Sequence, residues 1–343
     1  MSWKFWLPLV LIACCARAEE DPGQARAEAA GKALLGQSAP TASLHMLDGQ
    51  NLDLGTLYGK KPVYLKFWAT WCVPCRQQMP GFEKDFEEMG DKIAVVAVDV
   101  GFSETEARIR TYRQDHGLKM PIAIDDGSLA TALNLRVTPT QVVIGRDGRI
   151  LYVGHLADDK LHQALVQAIA GSGGPATGAI LQSDAVYRPG DRIPAAPVAT
   201  LDQGQFPLGG PSDDKRLRAV LFFSPGCESY LGLSQPDTAV NCKRFREQIG
   251  ALLDRKDVRW LGVAMGIWTL PEDVTRWQAK VQFPIPSVLD TDGRLFHRFG
   301  VQELPAVALI DPAGKLIRMI GPDEQDLASA ISAEGTSRKA AGR

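Results

Sequence analysis

Val63-Tyr64-Leu65-Lys66-Phe67-Trp68-Ala69-Thr70-Trp71-Cys72-Val73-Pro74-Cys75 is the stretch that decides the fold. Its first six residues are a mainly apolar run typical of a buried strand, and Cys-x-x-Cys follows where a helix would begin. A helix N-terminus directs unpaired backbone N–H groups at the first sulfur and stabilises its thiolate. The stretch therefore predicts dithiol/disulfide exchange, with Cys72 as the nucleophile and Cys75 as the resolving thiol.

Half of a zinc site would show the same cysteine spacing. A structural zinc site needs a second pair of the type Cys-x2-Cys or His-x3-5-His, and the sequence has none. The other pair that the chain offers, Cys227 and Cys242, is separated by fourteen residues. The motif therefore favours redox chemistry over a metal site or an inert disulfide.

Further landmarks accompany the motif: the flanks Phe67–Arg76, Pro80 five residues after the second cysteine, and Val137-Thr138-Pro139 downstream. Together they resemble the thioredoxin superfamily, and most of all its TlpA/ResA branch of periplasmic thiol-disulfide oxidoreductases. The resemblance spans about residues 36–170. It implies that Pro80 kinks the active-site helix and that the peptide bond before Pro139 is cis.

The resemblance also implies roles for the residues around the sulfurs. The backbone of Thr138 would pair with an incoming peptide and hold it next to Cys72, while Trp71 and Pro74 would help to position it. Disulfides of client proteins would be reduced, with electrons from a membrane donor of the DsbD or CcdA type. Clients would be apocytochrome c or copper-centre assembly proteins, and no cofactor or metal is expected.

Two positions depart from the family pattern. Lys66 stands where thioredoxins carry a buried Asp, and Gln78 stands where some TlpA/ResA-like proteins place a Glu. A partly buried ammonium would favour the thiolate, and its own pKa would fall. Alternatively, the Lys66 side chain snorkels to water along the strand end. Both readings of Lys66 stay open.

Composition favours a soluble globular protein, and the first residues favour a location outside the cytoplasm. The 343 residues are 45% hydrophobic and 23% charged, and a net charge of −2 gives no reason to expect nucleic acid as a partner. Residues 1–18 have the basic start, apolar run and Ala-x-Ala end of a secretory signal peptide. Leu11-Ile12-Ala13-Cys14 offers a rival route, in which Cys14 would carry a lipid anchor. Either route predicts export to the periplasm.

The chain also repeats itself. The strand ending at Cys72 recurs before Cys227, and Val137-Thr138-Pro139 recurs as Glu303-Leu304-Pro305. Strands alternate with helices in both copies, so the sequence predicts an α/β protein of two tandem thioredoxin-like folds. The predicted boundaries are a spacer or short helix at 19–35, a first domain at 36–170, a linker at 171–189, a second, degenerate domain at 190–332 and a tail at 333–343.

An insertion, Glu228–Asn241, stretches the second Cys-x-x-Cys into the Cys227/Cys242 pair. A structural disulfide, a second redox pair and a copper site all remain open for these two cysteines. His297 is expected to be an ordinary surface histidine. If the second domain only binds a client or a metal, the protein would be a non-catalytic assembly factor instead of a disulfide reductase.

Local patterns predict several helices and strands. Ser103-Glu104-Thr105-Glu106 predicts a capping box that opens a helix to about His116. Strands are predicted at Ile93–Val98 and Val258–Met265, and helices at Ala157–Ile169, Phe245–Leu253 and Glu272–Lys280.

Overall fold

The computed structural model describes residues 21–171, 174, 177–181 and 184–333. The predicted signal peptide, Cys14 and nearly all of the predicted tail therefore lie outside the described residues. Within the described ranges, no helix is long and apolar enough to cross a membrane.

Strands occur along the whole described chain. They are β1 Pro40–Thr41, β2 Ser43–Met46, β3 Asn51–Asp53, β4 Val63–Trp68, β5 Ala94–Asp99, β6 Ile122–Ile124, β7 Thr140–Ile144, β8 Ile150–Gly154, β9 Ala179–Ile180, β10 Pro197–Ala199, β11 Gln205–Pro207, β12 Leu217–Phe223, β13 Val258–Met265, β14 Ser287–Asp290, β15 Ala306–Ile310 and β16 Leu316–Ile320.

Helices connect and flank these strands. They are α1 Pro22–Gly31, α2 Val73–Met89, α3 Glu106–Asp115, α4 Ser128–Ala132, α5 Asp159–Ala170, α6 Pro236–Leu252, α7 Pro271–Val281 and α8 Arg294–Arg298, with 3-10 turns at Leu54–Thr56 and Leu231–Leu233. Residues 327–333 are helical as well.

The N-terminal region, residues 36–170, is built on a seven-stranded sheet in the order β3-β2-β6-β5-β4-β7-β8. Strand β4 lies between parallel β5 and antiparallel β7, and all six of its residues are buried. A strand covered on both faces needs apolar residues in both alternating positions, which explains the continuous run before the cysteines.

The C-terminal region, residues 190–332, holds a five-stranded sheet in the order β14-β13-β12-β15-β16. Its buried strand β12 lies between parallel β13 and antiparallel β15, as β4 does between its neighbours. The bonds Thr138–Pro139 and Leu304–Pro305 are both cis. The predicted α/β class is confirmed, because both sheets are mixed and flanked by helices. The assignment of this region to a second thioredoxin-like domain stays a prediction.

Several predicted elements shift against the structure. Helix α3 is capped by the Thr105 side chain and not by Ser103, so the predicted capping box is wrong. Helix α6 begins at Pro236, nine residues before the predicted start, because the insertion itself turns helical. Part of the predicted linker, β9, pairs in parallel with β1. In the predicted spacer or short helix at 19–35, the structure has the short helix α1.

The two regions share apolar packing. The ring centroid of Phe102 lies 5.7 Å from that of Phe296, which in turn lies 5.2 Å from that of Phe222 on β12. A buried cluster of apolar side chains therefore continues from the N-terminal sheet into the C-terminal one.

Candidate redox site

Cys72 caps helix α2, directly after the loop that follows β4. Its backbone is extended, with φ −79° and ψ 107°, and its sulfur accepts the N–H of Cys75 at 3.3 Å. The two cysteines form a disulfide with their Cα atoms 5.2 Å apart. In the reduced protein the same N–H and the helix dipole would stabilise a Cys72 thiolate, and the role of Cys72 as the nucleophile stays a prediction.

The loop at Pro139 lies against this sulfur. The Cys72 Sγ is 3.4 Å from the carbonyl oxygen of Thr138, so Thr138 stands beside the sulfurs as the resemblance implies. The same oxygen accepts a hydrogen bond from the indole Nε1 of Trp268, at 3.0 Å. Cys72 is only 1% exposed, and Trp268 of the C-terminal region lies against the same loop.

A buried carboxylate, Glu104, holds the loop before the cysteines. Its Oε1 accepts hydrogen bonds from the Thr70 N–H and hydroxyl, at 2.5 and 2.6 Å. Trp71 is fixed next to it, since its indole N–H donates to the Phe102 carbonyl at 2.8 Å. Burial raises the pKa of Glu104. Sequence reasoning placed Glu104 in a helix cap, and no local pattern shows that it reaches back to Thr70.

Lys66 is buried, with 1% of its surface exposed, so the snorkelling reading is wrong. Its Nζ donates to the Gln78 side-chain oxygen at 2.9 Å and lies 5.4 Å from the centre of the Phe82 ring. Burial lowers the pKa of Lys66 to about 7, while the Asp85 carboxylate acts in the opposite direction. The two residues that depart from the family pattern, Lys66 and Gln78, are therefore partners of each other.

The second cysteine pair lies at the matching place in the C-terminal region. Cys227 follows β12 as Cys72 follows β4, and it forms a disulfide with Cys242 on α6, with the Cα atoms 6.3 Å apart. Both cysteines are buried. In the described part of the chain, no group of three or more His, Cys, Asp or Glu side chains could hold a metal ion.

His297 is not a surface residue, so that expectation is wrong. It is 7% exposed, and its ring nitrogens lie 3.2 Å from the carbonyl oxygens of Asp126 and Asp184. The histidine is buried because α8 packs on α4 of the N-terminal region. No sequence pattern indicates that contact.

Three further contacts join the C-terminal region to the redox site. The Val73 N–H donates to the Tyr230 hydroxyl at 3.1 Å, the Trp268 N–H donates to the Arg136 carbonyl at 2.9 Å, and the Gln235 side chain donates to the Ser103 carbonyl at 2.6 Å. Sequence reasoning missed Tyr230 and Trp268, because the distance along the chain hides their approach to the cysteines.

Comparisons with known proteins cover the N-terminal region. The Redoxin family profile matches residues 34–168. The thioredoxin-like protein YneN of Bacillus subtilis is 40% identical over 133 residues, which are 38% of this chain and 78% of that protein. The thiol-disulfide oxidoreductase ResA of Bacillus anthracis is 32% identical over 122 residues, 35% of this chain and 69% of that protein.

One solved structure is similar to part of the chain. The exposed lipoprotein thioredoxin of Streptococcus pneumoniae is 29% identical, and the match covers 37% of this chain and 96% of that one with a TM-score of 0.33. The family relationship of the chain rests on its sequence relatives and not on this structural match.

Proposed function

The chain belongs to the ResA-like thiol-disulfide oxidoreductases of the thioredoxin superfamily, and on that premise we propose that it reduces disulfides of exported client proteins. The observation that carries the proposal is the Cys72 sulfur, which caps α2 and accepts the Cys75 N–H. That position stabilises a thiolate, and the thiolate is the attacking form in disulfide exchange.

The reaction needs only the two thiols. The Cys72 thiolate attacks one sulfur of the client disulfide, which forms a mixed disulfide and releases the other client sulfur as a thiolate. Cys75 then attacks Cys72, so that the Cys72–Cys75 disulfide forms and the second client thiol leaves. Two electrons pass from the protein to the client. Return to the dithiol form requires an external thiol donor, which we take to be a membrane protein of the DsbD or CcdA type.

We place this activity in the periplasm, with cytochrome c or copper-centre assembly proteins as clients. Support comes from the leader-like residues 1–18 and from the Cys227–Cys242 disulfide, since such bridges persist outside the cytoplasm. The mass of the N-terminal peptide of the mature protein would show whether the leader is cleaved or Cys14 carries a lipid.

Lys66 and Gln78 tune the dithiol in this proposal. Lys66 lies on β4, whose end leads into the Cys72 loop, and Gln78 lies on α2 three residues after Cys75. Their hydrogen bond therefore joins the two elements that carry the sulfurs. Near neutral pH, protonated Lys66 in this position favours the thiolate form of the dithiol.

The C-terminal region is a second, degenerate thioredoxin-like domain in this proposal. The order of strands around β12 and the position of Cys227 support it. We assign the Cys227–Cys242 bridge a structural role, because the long spacer lacks the tight coupling of Cys-x-x-Cys.

Trapping of clients tests the proposed function. With Cys75→Ser, the mixed disulfide on Cys72 cannot be resolved, so covalent client complexes should accumulate in the exporting cell. Cys72→Ser should trap none, and the potential of the Cys72/Cys75 couple should be strongly reducing against a glutathione or dithiothreitol buffer. Equal trapping by both variants would overturn the assigned roles. If neither variant traps a client while client binding is intact, the protein would instead be an assembly factor. It would then bind its client through the face of the redox site beside which the C-terminal region lies.

A further inference from the structure

A cleft between the two regions opens beside the redox-active loop. It has a volume of about 620 Å³ and is mostly apolar. Trp71 and Pro74, the residues expected to position substrate, form the N-terminal side together with Phe102. The opposite wall comes from the C-terminal region, and its largest members are Tyr230, Met265, Trp268 and Trp277.

Two backbone groups next to Cys72 are already paired by side chains of that opposite wall. The Thr138 carbonyl accepts from the Trp268 indole, and the Val73 N–H donates to the Tyr230 hydroxyl. An extended peptide carries one donor and one acceptor per residue, and so it can replace both side chains without leaving a buried polar group unpaired.

Trp268 has a strained backbone conformation and a partly exposed side chain. Its φ is +59°, in the left-handed region that bulky residues rarely adopt and that persists only where surrounding contacts enforce it. Those contacts include the His155 ring, at a centroid distance of 5.4 Å, and Arg26, at 5.8 Å. The side chain is 36% exposed, so solvent reaches it from the cleft.

The outer rim of the cleft carries charge. Arg276 and Lys280 on α7 line it together with Asp273, which leaves one positive charge in excess. The Asp273–Arg276 ion pair is 3.2 Å long, and the Arg276 side chain is 74% exposed. Exposed pairs of this kind are weak, so Arg276 is available to a carboxylate of a bound segment.

We propose that the C-terminal region supplies the wall that selects the client, with Trp268, Trp277 and Arg276 as specificity-determining residues. The segment it fits is an extended stretch of an oxidised client that carries a large apolar side chain next to its disulfide cysteine and an acidic residue nearby. The apolar side chain packs between Trp71 and Trp277, and the acidic residue meets the rim at Arg276. This inference rests on the proposed disulfide reductase function.

Single-turnover reduction of peptide disulfides by the pre-reduced full chain tests it. The probes are symmetric disulfides of a short peptide in which either phenylalanine or serine precedes the cysteine. We expect the phenylalanine probe to react about tenfold faster at low concentration, the scale of one good apolar pocket contact. Trp277→Ala should remove most of that preference, and the ratio of the two rates is unaffected by a general loss of activity.

The charge of the rim gives a second readout, in case Trp277→Ala does not fold. Wild type should prefer a glutamate-containing probe over the matched lysine-containing probe, and Arg276→Glu should reverse that preference. Lys84→Glu is the matched control, because Lys84 is an exposed helical cation beside a carboxylate but lies on α2 outside the cleft. It should leave the preference unchanged.

The outcomes separate the two proposals. Reduction of all probes at one rate, or preferences that survive both Trp277→Ala and Arg276→Glu, would overturn the selecting wall while the reductase function stands. The reductase function itself would be overturned if the protein reduced none of the probes and also did not reduce hydroxyethyl disulfide, a small substrate.

Discussion

Lys66 is a buried lysine on the strand that leads to Cys72, and its surroundings define how it titrates. Its Nζ has the Gln78 oxygen within hydrogen-bond distance, while the half-buried Asp85 carboxylate contributes attraction through space. An amide oxygen can accept a hydrogen bond from a neutral amine as well as from an ammonium. The site therefore tolerates both protonation states, and burial decides the balance between them.

Replacing Lys66 with methionine should change the pH dependence of stability. The folded pKa of about 7 lies below the ordinary value of 10.5, so between these two values the unfolded chain binds more protons than the folded one. Wild-type stability should rise with pH across this window, by at most about 1.4 kcal/mol per pH unit, and should lose this dependence below it. Lys66→Met should be the more stable protein at pH 6, and its advantage should shrink as the pH approaches 10.

Urea unfolding of the oxidised proteins at several pH values measures this effect. Lys61→Met is the control, because Lys61 is a lysine near the same strand whose Nζ bonds the Gly90 carbonyl. It should show no comparable slope relative to wild type. A constant difference between Lys66→Met and wild type from pH 6 to 10 would show that Lys66 is charged throughout.

Among the secondary-structure elements, buried strands were the most predictable. The predicted bounds of β13, Val258–Met265, agree with the structure, and β5 differs by one residue at each end, because continuous apolar runs leave few alternatives. The start of α6 was missed, since the inserted residues lack a helical apolar period. Glu104 was misassigned because its partner, Thr70, is 34 residues away.

The Cys227–Cys242 bridge joins the end of β12 to α6 and should act mainly on stability. It closes a loop with a sequence separation of 15, for which the chain-entropy account gives about 3 kcal/mol. The double variant Cys227→Ala/Cys242→Ala should therefore unfold at lower temperature and lower urea concentration than wild type, and still reduce client disulfides.

Removal of the other bridge provides the comparison. The Cys72–Cys75 loop has a sequence separation of 3, so Cys72→Ser/Cys75→Ser should cost less stability and abolish reductase activity. Should the Cys227/Cys242 variant keep its stability and lose client reduction, the second pair would be a redox relay and not a structural bridge.

At the level of the whole molecule, the C-terminal region lies beside the Cys72 loop of the N-terminal one. The sequence predicted the repeat, the redox motif and the residues that approach Cys72 from the N-terminal region. It could not predict Tyr230 and Trp268, because the packing of one region on another depends on surface shape and not on a local period. Tyr230 and Trp268 therefore join the surroundings of Cys72 only in the assembled chain.

Trp268 should control access to the Cys72 thiol in the reduced protein. Its indole donates to the Thr138 carbonyl next to the sulfur, and one such hydrogen bond contributes about 1 kcal/mol to the closed arrangement. Trp268→Ala removes the bond and the covering ring, so the rate of Cys72 alkylation by iodoacetamide should rise about tenfold, as expected for a loss of 1.4 kcal/mol. Trp268→Phe keeps a ring and loses only the donor, and should give a smaller increase.

The alkylation rate must be followed across pH, because a changed thiolate pKa would also alter it. Loss of the covering Trp268 ring raises the high-pH plateau of the alkylation rate, whereas a change in thiolate stability moves the midpoint of the pH profile. Tyr187→Ala is the control, since Tyr187 packs on Phe299 and does not line the cleft. If Trp268→Ala leaves the plateau at the wild-type value, Trp268 does not limit access, and the client must reach Cys72 by another face.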